Sequence, residues 1–191
     1  MKRLTIAATW LLLLSGTAQA ESAPPQGAEK LVTYVFDVFN AKHLMAQGMR
    51  EVTPPDDPVQ RALMDGAIAA FDIGPLAAQL AAPLSQKLSP QETEHCLALI
   101  DGEGGAVLKE VGRKTGAGDT LVPQLELLPP HEQRAVAAIF MAPCFKKINA
   151  FITSYEARDV VMDYAKRFAC DRVAREHPEM VEPLRQSGEC G

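Results

Sequence analysis

Four cysteines, Cys96, Cys144, Cys170 and Cys190, lie behind an N-terminal segment with the layout of a secretory signal. Together they limit what the chain can fold into more than any other feature. Lys2 and Arg3 supply the basic region, Ile6 to Leu14 the apolar core, and Ala18-Gln19-Ala20 the small-residue cleavage site. The apolar stretch is short for a membrane span and no stop-transfer segment follows it. No cysteine stands at the cleavage point to carry a lipid. The expectation is cleavage of residues 1–20 and a soluble, periplasmic or secreted mature protein starting at Glu21, with no stable membrane insertion. An even number of cysteines in an exported chain predicts disulfides, because export leads to an oxidising compartment. Four cysteines allow three pairings, and the sequence alone cannot choose among them. The preferred set is Cys170 with Cys190, which ties the C-terminal tail to the preceding helix, and Cys96 with Cys144. Buried free thiols are the alternative.

The formal charge of −5 becomes about −7 once Lys2 and Arg3 leave. An acidic chain without a basic run argues against nucleic acid and against electrostatic docking on anionic lipid. What remains is long enough for one domain with its own hydrophobic core. Residues 21–30, rich in Ala, Pro and Gly, read as a flexible leader and residues 31–191 as the helical domain.

Leu31, Val35, Val38, Met45, Met49 and Val52 recur in steps of three and four, one apolar stripe of a helix. Lys42 falls on the same stripe, and a lysine stem passing apolar neighbours is preferred there over a partner-facing groove. Thr53 to Pro58 ends that helix. A second helical stretch covers Val59 to Ile73, with Leu63, Ile68 and Phe71 apolar, broken at Gly74-Pro75 and continuing to Pro83. Ser89-Pro90-Gln91-Glu92 combines an N-cap serine, a proline at the first helical position and a glutamate at the third. Gly102 and Gly104-Gly105 predict a kink or break, and residues 112–118 a flexible loop. A helix from Pro130 is interrupted at Pro143. Thr153 with Glu156 reads as a capping box opening the last long helix, with Val161, Tyr164 and Phe168 on its apolar side and Pro178 at its end. No run of alternating β-branched residues occurs, so the expected fold is all-α, a single bundle-like helical domain.

Two segments echo each other. Leu88 to Glu92 corresponds to Leu128 to Glu132 at an offset of 40 residues, and Ala98-Leu99-Ile100 to Ala138-Ile139-Phe140. Such spacing can mark a duplicated helical unit, although helix starts resemble each other in any case.

The second of these segments, Leu128-Pro129-Pro130-His131-Glu132 followed by Ile139 to Lys147, resembles an exported bacterial family, number two-zero-five-nine of the domains of unknown function. Members show a Leu-Ser/Thr-x-x-Glu helix start, then Phe-Tyr-x-Ser-Pro-x-Gly with a lysine two residues on. Ile139 and Phe140 stand at the aromatic pair, Pro143 at the proline and Lys147 at the lysine. Ala142 replaces the serine and Phe145 the glycine. The resemblance implies an exported helical domain and no particular reaction.

Motifs of catalysis and cofactor binding are missing. There is no Gly-x-Ser-x-Gly elbow and no His-Glu-x-x-His. Arg113 precedes Lys114-Thr115 where a phosphate loop needs glycine. Glu92 and His95 share a helix face, but a di-iron bundle needs that motif twice with two more glutamates. His95 adjoins Cys96 in sequence, which turns the two to different sides of a helix and prevents easy activation of the thiol. His43 and His177 read as solvent-facing or helix-end residues. Asp163 with Arg167 and Asp171 with Arg175 read as exposed ion pairs one helical turn apart. No catalytic, cofactor or metal residues are therefore assigned. The function expected is envelope interaction or assembly through a protein partner. The alternative is carriage of a small apolar ligand or lipid in a pocket lined by Phe36, Met45, Met64 and Phe71. Catalysis ranks third.

Overall fold

The computed structural model describes residues 26–43, 65–66, 68–115, 121–186, 188 and 190. The fold is all-α, and no strand occurs among the described residues. The helices are α1 (Gln26–Val38), α2 (Ile73–Ser85), α3 (Pro90–Asp101), α4 (Glu103–Lys114), α5 (Leu121–Glu126), α6 (Pro130–Met141), α7 (Pro143–Ile152), α8 (Tyr155–Glu176) and α9 (Val181–Gln186). A 3-10 turn over Pro178–Met180 joins the last two. Met45, Met49, Val52, Leu63 and the signal-like segment lie outside the described residues.

Helix α1 supplies the centre of the core. Ala28, Leu31, Val32, Val35 and Val38 form its buried stripe, the spacing of a face that packs against neighbours. It begins at Gln26, inside the stretch read as a leader, and Ala28 is only 1% exposed. It stops at Val38 instead of running on to Val52. Asn40 adopts φ 46°, a left-handed conformation that asparagine tolerates better than most residues, and the chain turns there. The Lys42 amine then donates to the Ala69 carbonyl at 3.3 Å.

Helix α2 lays Leu76, Ala77, Leu80, Ala81 and Leu84 against α1. Gly74-Pro75 does not break it. The break falls at Phe71-Asp72, and Asp72 caps the new helix by accepting from the Gly74 amide at 2.9 Å. Pro75 then occupies the first turn, where a missing N–H costs no intrahelical bond. Pro83 lies inside the last turn, which runs on to Ser85.

The Ser89 box forms as the sequence dictates. The Ser89 hydroxyl accepts from the Glu92 amide at 3.2 Å, and the Glu92 carboxylate accepts from the Ser89 amide at 2.8 Å. Gly112 belongs to α4 and not to a loop. At the start of α8 the capping residue is Ser154, accepting from Ala157 at 3.2 Å. Thr153 instead turns its hydroxyl back to the Asn149 carbonyl at 2.9 Å, finishing α7.

The 40-residue echo extends to the architecture. Helices α3 and α4 are separated by Gly102 alone, and α6 and α7 by Ala142 alone. The linker amides bond equivalent carbonyls, Gly102 to Leu99 at 3.3 Å and Ala142 to Ile139 at 3.1 Å. Buried Gly104, Gly105, Leu108 and Val111 match buried Cys144, Phe145, Ile148 and Phe151, and Cys96 matches Val136. Contacts between the units are reciprocal as well. Cys96 is bonded to Cys144, and at the equivalent positions a Cβ on Gly104 would stand 3.2 Å from the Val136 nitrogen. Exchange of this kind is what a two-fold pairing of like units produces.

No single described helix is long and apolar enough to cross a membrane. Helices α6 and α7 together have the length and composition, but they bend by 65°. Their apolar residues Val136, Ile139, Phe145, Ile148 and Phe151 are buried in the core.

Candidate functional site

An apolar groove of about 350 Å³ opens where the C-terminal end of α1 meets α2, α7 and α8. Its walls are Val35, Phe36 and Phe39 from α1 and the following turn, Leu76 from α2, Ile152 from α7 and Val161 from α8. The end of α1 creates the opening. Because the helix stops at Val38, Phe39 is swung onto the rim and left 40% exposed, while Leu76 lies fully buried at the base. Asn149 and Thr153 are the polar members of the lining. The Thr153 hydroxyl already donates within α7, whereas Asn149 is exposed. Size and lining suit one apolar side chain or a short hydrocarbon group with a polar end near Asn149.

Of the pocket residues expected from sequence, only Phe36 lines this groove among those described; Met45 and Met64 lie outside the described residues. Phe71 is elsewhere. It is buried edge-on against Tyr164 and Phe168, with ring centroids 5.5 and 5.4 Å apart. The Tyr164 hydroxyl donates to the Asp72 carbonyl at 2.9 Å, fixing α8 to the start of α2. Phe39 comes from the turn after α1, and Leu76, Ile152 and Val161 from α2, α7 and α8, so no local pattern links them.

A second, polar cleft of about 470 Å³ lies between α1, α3 and α4. Two ion pairs span it, Lys30 with Asp101 at 2.7 Å and Lys109 with Asp37 at 2.6 Å. On its floor the Tyr34 hydroxyl donates to the Gly105 carbonyl at 3.0 Å, and burial pushes its pKa well above the ordinary tyrosine value. These pairings join α1 to α3 and α4.

The candidate residues weighed from sequence are spread over the surface. Glu92, beyond its capping role, pairs with Lys147 at 2.7 Å. His95 is exposed. His131 lies 3.6 Å from Glu103, and His177 3.4 Å from Glu179. The expected α8 ion pairs are replaced by other contacts. Arg167 reaches Gln79 at 2.6 Å, and Arg175 donates to the Asp171 backbone carbonyl at 3.2 Å. Sequence reasoning missed Arg172, which donates to the Gly66 carbonyl and pairs with Glu176 at 2.9 Å. The cysteines are bonded as Cys96–Cys144 and Cys170–Cys190, with Cα separations of 6.0 and 5.6 Å.

No family model, curated protein or solved structure matches the chain.

Proposed function

We propose that this is an exported interaction protein, without catalysis, that takes an apolar side chain of a protein partner into the groove beside Phe39. The exposed Phe39 ring above fully buried Leu76 carries the reading. A large apolar residue held at the rim of an apolar groove gains free energy when a partner covers it. The groove offers Asn149 and Thr153 as its polar groups, which orient a ligand but do not form a nucleophile–base pair. Export is part of the same proposal. It rests on the signal layout of residues 1–20, the two disulfides and the resemblance of residues 128–147 to an exported family. Two motif positions of that resemblance have structural work, since Pro143 starts α7 and Lys147 pairs with Glu92.

The same groove favours one second reading, carriage of a small apolar ligand or lipid, because its volume suits a hydrocarbon tail. Native mass spectrometry of the protein isolated from its own compartment separates the two. A protein-sized adduct lost in Phe39→Asp supports the interaction reading, and a small apolar adduct lost in the same variant supports the carrier. An adduct that survives the substitution removes the groove from both.

A further inference from the structure

We propose that the Cys170–Cys190 disulfide is a reducible latch, opened by a dithiol, that frees the C-terminal tail from α8 while Cys96–Cys144 stays closed. The two bonds differ in accessibility. Cys96 and Cys144 are each 1% exposed, whereas Cys170 and Cys190 are both partly exposed. Cys170 also borders an open cleft of about 360 Å³ on α8, together with Asp163, Lys166, Arg167 and Asp171, so an external thiolate can approach its sulfur. Thiol–disulfide exchange requires this access along the bond being broken.

No described residue of α9 is buried, and its Val181 and Leu184 are only partly covered. Lys166 donates to the Gly188 carbonyl at 3.0 Å, an exposed bond, and the Cys190 amide bonds the tail's own Leu184 carbonyl at 3.1 Å. Helix α8 itself is fixed independently, through Tyr164 on Asp72 and Arg167 on Gln79. Opening the latch frees the tail at Cys190, and these contacts keep α8 seated.

In the exchange, the incoming thiolate attacks Cys170 Sγ. The Sγ–Sγ bond breaks, and Cys190 leaves as a thiolate that takes a proton from water. The second thiol of the dithiol then attacks the mixed disulfide and releases Cys170 as a thiolate, which is protonated in turn. The dithiol loses two electrons and becomes a disulfide, and the protein gains two electrons and two protons.

The test treats the full folded chain with dithiothreitol in the absence of denaturant, traps thiols with N-ethylmaleimide and maps the peptides over time. Cys170 and Cys190 should become labelled at least about tenfold faster than Cys96 and Cys144. Amide hydrogen exchange over residues 178–190 should quicken on reduction while α3 and α7 keep their protection. The double variant Cys170→Ser/Cys190→Ser should show the same exchange pattern without reductant. Labelling of all four cysteines at similar rates would mean that both bonds open only on unfolding, and would overturn the proposal. So would a tail whose exchange is the same in the reduced protein and in the double variant as in the oxidised protein.

Discussion

The hydroxyl of Tyr34 donates to the backbone carbonyl of Gly105 at 3.0 Å, a buried bond that joins α1 to the first turn of α4. Two exposed ion pairs flank it, Lys109–Asp37 between the same two helices and Lys30–Asp101 between α1 and the end of α3. Exposed pairs of this kind contribute little each, so the buried tyrosine dominates the junction. Replacing Tyr34 with Phe should cost about 1 kcal/mol, the net worth of one buried hydrogen bond. Urea unfolding checks this, and an unchanged midpoint would mean that the hydroxyl is solvated.

The same tyrosine gives an alkaline limit. Burial raises the pKa of Tyr34, and that of Tyr164 is raised too, by burial first and then by the charge of Asp72. A raised folded-state pKa means that the unfolded chain loses its proton first. The stabilisation is complete below the ordinary tyrosine value of about 10 and declines as pH rises above it. Thermal midpoints should therefore fall above about pH 10, and Y34F should flatten part of that fall.

Acid works in the opposite direction at Glu92. Its carboxyl is held below the usual range by the hydrogen bond from Lys147, then by that from the Ser89 amide. A lowered folded-state pKa contributes stability above the unfolded value, about 4.3, and that contribution is lost as pH falls through the folded value. Glu92→Gln should reduce the acid dependence of the thermal midpoint, and Ser89→Ala should cost about 1 kcal/mol at neutral pH. Glu110, lowered to about 2 by Arg113 and Lys114, should account for a separate share, read from Glu110→Gln.

Gly112 lets α4 approach α1 closely, since a Cβ there would run into the Val38 carbonyl. In an open helix, Gly→Ala stabilises by roughly 1 kcal/mol. At this crossing the sign should reverse, with Gly112→Ala destabilising by roughly 1–3 kcal/mol as the helices are forced apart. Val38→Asp should cost several kcal/mol more, because it buries an unpaired charge. A stabilised Gly112→Ala variant in chemical denaturation would mean that the two helices do not touch there.

The covalent tie at Cys96–Cys144 closes a separation of 48 residues between two buried positions. Replacing both cysteines by alanine should cost about 4 kcal/mol from loop-closure entropy alone. Thermal unfolding with and without reductant measures it, and a loss under about 1 kcal/mol would mean that the unfolded chain is already constrained there.

How much of this was legible in the sequence depended on how local the signal was. Ser89 and Glu92 lie one turn apart and have no rival partner nearby, so their box could be read directly. Thr153 and Glu156 offer the same spacing, yet Ser154 took the cap because the Thr153 hydroxyl reaches back to Asn149. Gly74-Pro75 reads as a breaker until Asp72 is recognised as the cap that places both residues in a first turn. Phe36 was legible as a groove residue because it lies beside an apolar stripe. Phe39 was not, since its exposure follows from the turn at Asn40. Leu76, Ile152 and Val161 meet it only through tertiary packing, which no window of sequence contains.

The two disulfides join consecutive cysteines, the first with the second and the third with the fourth. A polypeptide emerging N-terminus first presents its thiols in that order. When Cys144 appears, Cys96 is the only earlier thiol to pair with, and once they are joined Cys170 must wait for Cys190. An oxidant that acts on each pair as it emerges therefore arrives at the native connectivity without reshuffling. Refolding from the fully reduced chain offers all three pairings at once, and should need an isomerase or a thiol buffer to reach the same end.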